Sequence, residues 1–134
     1  AANARVLTQE SPPEQLLVLL FEKAHTSLSR AAMLPMETLD ELPLTERLAV
    51  IEDFHKSTSK ALEIILTLRG ILDTDRHDGI SSQLHETYTV IAKSILNAMK
   101  KPVNLVEIKK LRDILLELKQ AWQQVAINAR SDTV

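Results

Sequence analysis

Apolar residues recur along this chain at spacings of three and four in four stretches, and each stretch carries residues that start or stop a helix. The first opens at Ser11-Pro12-Pro13-Glu14. Ser11 suits a capping position and Pro12 the first helical one. Glu14 stands three residues after Ser11, as a capping box requires. Leu16, Leu17, Leu20, Phe21, Ala24 and Leu28 follow at helical spacing and predict a helix running to about Ala32. From Met33 to Pro43, two prolines and mixed acidic and apolar residues predict a long connection.

The second helix is the longest, from about Leu44 to Leu72, ending before the polar stretch at 74–79 where Gly79 breaks the pattern. The third begins near Ser81 or Ser82 and carries Leu84, Tyr88, Ile91, Ala92, Ile95 and Met99. Lys100 and Lys101 suit its negative end, and Pro102 stops it. The fourth starts at Asn104, with Glu107 three residues on as a second capping box. Its Ile108, Leu111, Leu115, Leu118, Trp122 and Val125 form a regular seam. Short loops after the second and third helices predict antiparallel neighbours, so the expected fold is an all-α, up-and-down four-helix bundle. The expected organisation is a flexible N-terminal segment over 1–10, the bundle over 11–129 and a tail over 130–134.

Placed at about 100° per residue, the second helix carries more apolar surface than one seam uses. Leu62, Ile51, Ile65, Phe54, Leu72, Ala61 and Leu68 make a stripe. Ile64 and Ile71 widen it on one side, Leu48 and Leu66 on the other, to an arc of about 220°. Glu52, Lys56, Lys60, Glu63 and Thr67 hold the solvent side. Two readings follow. The helix packs centrally against three neighbours, or part of the arc, with Ile64, Leu68 and Ile71 as its edge, lines a groove for a partner helix.

Composition narrows the chemistry. The 134 residues are 45% hydrophobic and 25% charged, with two Gly, five Pro and no Cys. That length fits one domain with a substantial core. Without Cys there is no thiol catalysis, disulfide framework or thiolate-bound metal. So few Gly leave no phosphate-cradling loop and speak against a sandwich or barrel. Net charge is −2 with both signs interspersed, so no basic stripe points to nucleic acid. The longest apolar run, Leu16 to Phe21, is far below the roughly 20 residues a membrane span needs. No signal peptide is visible, so the expected location is the cytoplasm.

Candidate reactive groups reduce to ordinary ones. Glu22 with His25, and Glu52 with His55, are Glu-x-x-His pairs of the kind that di-metal bundles turn inward. Here Glu22 lies nearly opposite the core stripe of its helix and Glu52 sits on a polar side, so the two pairs cannot share one buried metal site. His55, followed by Lys56-Ser57-Thr58, loosely fits a phosphotransfer histidine, and that remains the rival reading. His77 and His85 read as solvated. Asp73, Asp75 and Asp78 lack the spacing and later Glu of a calcium loop. Tyr88 and Trp122 read as core or seam aromatics. No enzyme is expected, and no cofactor or metal.

The stretch SPPEQLLVLLFEKAHTSLSRA resembles the first helix of the bacterial flagellin-specific export chaperones, the FliS family. Pro13-Glu14 and Leu16-Leu17 match its Ser-Pro-Glu start and Leu-rich run, and Phe21-Glu22-Lys23-Ala24 stand where the family has Tyr-Asp-Gly-Ala. LRGILD at 68–73 is similar to the family's Leu-x-x-x-Leu-Asp. LHETYTVIAKSIL, with Leu84 and Tyr88, resembles its third helix, and KKLRDILLELKQAWQQV, with Trp122, its last. The resemblance covers roughly residues 6–126. Phe21 replaces the usual Tyr and Lys23 the usual Gly, and the N-terminal segment lacks the family's tyrosine.

The resemblance implies a chaperone of the bacterial cytosol that holds the disordered C-terminal segment of flagellin. It would prevent premature polymerisation and deliver the subunit to the flagellar type III export apparatus, with no nucleic acid, membrane insertion, nucleotide or metal involved. The client would wrap the bundle, partly as helices in apolar grooves. The partner-binding residues expected on this basis are Ile64, Leu68 and Ile71 in the groove, with Val6 and Leu7 as a displaceable cover.

Overall fold

The computed structural model describes residues 13–75 and 79–133, and within these the chain forms four α-helices and a short 3₁₀ segment, with no strand. Helix α1 spans Pro13–Met33 and α2 spans Leu44–Asp75. Helix α3 spans Gly79–Met99 and α4 spans Leu105–Thr133. The expected bundle is present. Ser11 and Pro12, the expected start of the first helix, lie outside the described residues; Pro13 is the first helical residue described, a position where a missing N–H costs nothing. Gly79 opens α3 instead of lying in a loop.

The connection from Met33 to Pro43 is not featureless. Met36–Glu41 makes a 3₁₀ segment, and the Arg47 guanidinium donates from Nη2 to the Leu42 carbonyl over 3.0 Å, pinning the segment's end to α2. After Met99 the chain bends through Lys100–Val103 and restarts at an Asn104 cap. The Asn104 side-chain oxygen accepts from the Glu107 N–H at 3.0 Å. The other half of a capping box is not needed, because the Asn104 N–H already donates to the Ala98 carbonyl.

Around the bundle the order is α1, α2, α3, α4, with α1 closing the ring against α4. The long first connection therefore leaves α1 between α2 and α4. The α1–α4 seam is the most extensive of the four and the α3–α4 seam the least. Phe21, Phe54 and Tyr88 sit at the centre with Leu28, Ile65, Leu68, Ile95, Ile108 and Leu115. Ala24, Ala31, Ala61, Ala92 and Ala98 are buried too, and their small side chains let helices approach closely.

The α4 stripe leaves the core gradually. Ile108, Leu111 and Leu115 are buried, Leu118 and Trp122 are half-buried, and Val125 is exposed. A 3-4-3-4-3 spacing runs short of 3.6 residues per turn, so on a straight helix the row rotates by about 100° between Ile108 and Val125. Ala126 takes the inward position instead.

Candidate interaction surface

Two cross-helix hydrogen bonds fix which side of α2 faces which neighbour. Arg30 on α1 forms a forked pair with Asp53, Nε to Oδ1 at 2.7 Å and Nη2 to Oδ2 at 2.8 Å. Ser57 also donates to Asp53. The Arg30 hydrogen bond holds the Asp53 carboxyl below the usual carboxylate range and pushes the guanidinium's pKa further up. On the other flank, the Arg69 guanidinium donates to the Thr89 hydroxyl on α3 at 3.3 Å. At about 100° per residue, Ile64 and Ile71 share the Asp53 side and so face α1. Leu48 and Leu66 share the Arg69 side and face α3.

The wide arc on α2 is therefore mostly absorbed by packing against α1, α3 and the 3₁₀ segment. Ile64 and Leu68 are buried, members of the core cluster, and Ile71 is half-buried. Leu48 and Leu66 stay exposed. Val6 and Leu7 lie outside the described residues.

What the sequence pattern missed is on α1. Leu16, expected in the core stripe, is 49% exposed, and Leu19 is 55% exposed. The Arg30–Asp53 pair sets the register between two antiparallel helices. Counting back from Arg30 and on from Asp53 brings Leu19 level with Ile64, Leu16 level with Thr67, and Pro13 level with Gly70. Leu16 and Leu19 also fall on the α2-facing flank of α1, near the angular position of Arg30. The α1–α2 edge thus presents Leu16 and Leu19 beside Ile71, above buried Ile64 and Leu68. The available signal was the unbroken run Leu16 to Phe21, which surrounds the helix with apolar side chains and cannot all face one core.

A second set of exposed apolar residues flanks α3. Leu96 shares the α2-facing side with Thr89, as Leu66 does across the seam. On the other flank are Val90 of α3 with Ile114 and Val125 of α4.

The titratable groups make no comparable constellation. Glu22 faces Lys119 across the α1–α4 seam at 3.7 Å. His25, half-buried beside them, has its pKa lowered, first by burial and then by the positive charges of Lys119 and Arg112, with Asp113 and Glu22 opposing. His55 is exposed on α2 with its ring edge against Phe54, and a shallow surface hollow around it is lined by Glu52, Lys56, Ser59, Lys60 and Glu63. Its two glutamates and two lysines balance in charge. Among the described residues no three of His, Asp and Glu converge as metal ligands, and no helix is long and apolar enough to cross a membrane.

Compared with known proteins, the chain matches the family model described as "Flagellar protein FliS" over residues 2–129, nearly its whole length. No curated protein matches it.

Proposed function

The chain belongs to the FliS family of flagellar export chaperones, and on that premise we propose that it binds the disordered C-terminal segment of flagellin. Binding holds the subunit back from polymerising and carries it to the flagellar type III export apparatus in the bacterial cytosol. The protein acts by docking, with no catalytic step.

The observation that carries this reading is aliphatic exposure on a bundle whose core is already complete. Leu16 and Leu19 line the α1–α2 edge, and Leu66, Leu96, Val90, Ile114 and Val125 flank α3. A disordered client must offset its ordering entropy by burying apolar surface over a wide area, and dispersed aliphatic edges serve that need. In this reading Ile71 is a contact at the α1–α2 edge, and Ile64 and Leu68 form the floor beneath it. Val6 and Leu7 supply the cover that the client displaces. Its support is topological: Pro13, the first described residue of α1, stands level with Gly70, next to Ile71.

Calorimetry and size exclusion with a flagellin C-terminal fragment from the same organism test the proposal. A stoichiometric complex at micromolar concentration is expected. Ile71→Asp and Leu19→Asp, with unchanged circular dichroism, are expected to weaken it. Absence of any complex with the organism's flagellins would sink the reading.

A further inference from the structure

One pole of the bundle carries apolar and charged surface that the client-binding edges leave unused. Met33 closes α1 there, Leu44 opens α2, Met99 closes α3 and Leu105 opens α4. Among the described residues, the four most exposed large apolar side chains all belong to this pole: Met33, Leu44, Val106 and Leu48, from 83% down to 57% exposed. Leu16, Leu19 and Ile71 lie toward the opposite pole.

Charge divides this pole in two. Over α1 and α2, the stretch 33–48 sets Glu37, Asp40, Glu41 and Glu46 against the single cation Arg47, a net charge of −3. Over α3 and α4, the stretch 99–110 sets Lys100, Lys101, Lys109 and Lys110 against the single anion Glu107, a net charge of +3. The four acidic residues and four lysines are all exposed, and among the described residues none of them is in an ion pair. The Arg47 bond to the Leu42 carbonyl fixes the acidic half on α2, so its charges are presented on a built surface.

Equal and opposite halves on one pole are complementary to the same pole turned over. A two-fold axis running between the halves, across the bundle axis, sets each copy's acidic half on the other's basic half. A partner of one sign would be attracted by one half and repelled by the other, so a second copy fits this surface better than an acidic or a basic protein. The exposed aliphatic residues fall inside the same contact, with Leu48 on the α3-facing side of α2, where the halves adjoin. Helices about 10 Å apart make a pole about 20 Å across, so each copy buries about 400 Å², half of what a standard stable interface needs. Such a contact is weak and steered by charge.

We infer that this chain pairs through this pole into a weak, salt-sensitive two-fold dimer, the 37–46 lobe of each copy seated on the 100–110 corner of the other. The α1–α2 edge stays clear of the contact, so a dimer has room for two clients. Neither reading rests on the other: a chain that carries flagellin as a monomer sinks only the dimer, and one that pairs without carrying it sinks only the chaperone proposal.

Sedimentation of the full chain at about 0.05 M ionic strength is expected to show monomer–dimer exchange with a dissociation constant on the order of 100 µM. At about 0.5 M, where the screening length is about 4 Å, pairing should weaken at least about 10-fold. Lys100→Glu with Lys101→Glu turns the basic half net negative, and Glu37→Lys with Asp40→Lys turns the acidic half net positive. Each double variant is expected to lose self-association by about 10- to 100-fold, because two-fold symmetry counts every substitution twice. Mixed in equal amounts at low salt, the two variants are expected to pair with each other, since each offers the sign the other lacks. All four positions are exposed, and unchanged circular dichroism verifies the fold. A wild-type chain that stays monomeric at about 1 mM in low salt overturns the inference and leaves this pole to a different partner. Dimers that survive both reversals, mixtures that fail to pair, or assemblies larger than two overturn the face-to-face arrangement.

Discussion

Leu66 and Leu68 stand two residues apart on α2, yet one is 45% exposed and the other 0%. Truncating each to Ala removes the same atoms from opposite environments. At Leu68 the loss includes both the transfer free energy of the side chain and the cavity left among Phe54, Ile64, Ile65 and their neighbours in the core cluster. Buried Leu→Ala changes cost about 2–5 kcal/mol. At Leu66 no enclosed cavity forms and only part of the side chain was removed from water, so about 1 kcal/mol or less is expected. Domains of this kind have about 5–15 kcal/mol of stability in total. Leu68→Ala therefore uses up a large fraction of it and Leu66→Ala does not. Urea unfolding followed by circular dichroism separates them: with a slope of about 1–3 kcal/mol/M, the Leu68→Ala midpoint falls by about 1–3 M while that of Leu66→Ala moves only a few tenths. A Leu66→Ala shift equal to or larger than that of Leu68→Ala would refute the assignment of α2's inward side. The pair also separates folding from docking, because Leu66→Asp leaves a folded protein in which client binding can be measured.

Three further outcomes follow from local geometry. His25 has a lowered pKa in the folded chain, so its neutral form is favoured there; stability is full above about pH 6.5, declines as pH falls below that value toward the folded pKa, and is flat beyond it. Thermal unfolding of His25→Gln across pH 5–8 should lose that slope, and an unaltered slope counts against the assignment. Asn104→Ala removes the α4 cap and should cost about 0.5–2 kcal/mol in urea unfolding, with Asn104→Asp retaining most of the stability. Arg30→Met should give a small loss that shrinks at high salt, since the Arg30–Asp53 pair is solvent-exposed; a loss insensitive to salt would point to packing by the arginine stem instead.

The helices were legible in the sequence because each repeats its apolar residues at helical spacing between proline, cap and charge signals. Asn104 is the clearest example, and Lys100 to Pro102 does mark the end of α3 within three residues. Periodicity identifies an apolar face but not the element that covers it, which is why the α2 arc supported two readings. Ile64 and Leu66 are equally aliphatic and two residues apart. Only the Arg30–Asp53 and Arg69–Thr89 bonds show that one side meets α1 and the other the margin of α3. Leu16 failed for the opposite reason: inside a continuous apolar run, stripe membership is ambiguous, and register with α2 left it outside.

The exposed aliphatic residues do not form one patch. Leu16, Leu19 and Ile71 sit on the α1–α2 edge, whereas Leu66, Leu96, Val90, Ile114 and Val125 flank α3 on its two sides. A compact partner with one flat face could cover only one of these edges, but an extended chain can reach several in succession. For a client that is disordered when free, the first contact makes the next one intramolecular, at an effective concentration that reaches millimolar for short connecting segments. Individually weak edges then combine into useful affinity, and the client can also be released edge by edge, which suits delivery better than one tight pocket. The consequence for mutagenesis is specific. Leu19→Asp alone or Val125→Asp alone should lower affinity for the flagellin fragment by a partial factor, and the two together by roughly the product of those factors. If either substitution alone abolished binding in a protein that still folds, while the other had no effect, the client would occupy a single edge and the wrapping arrangement would be wrong.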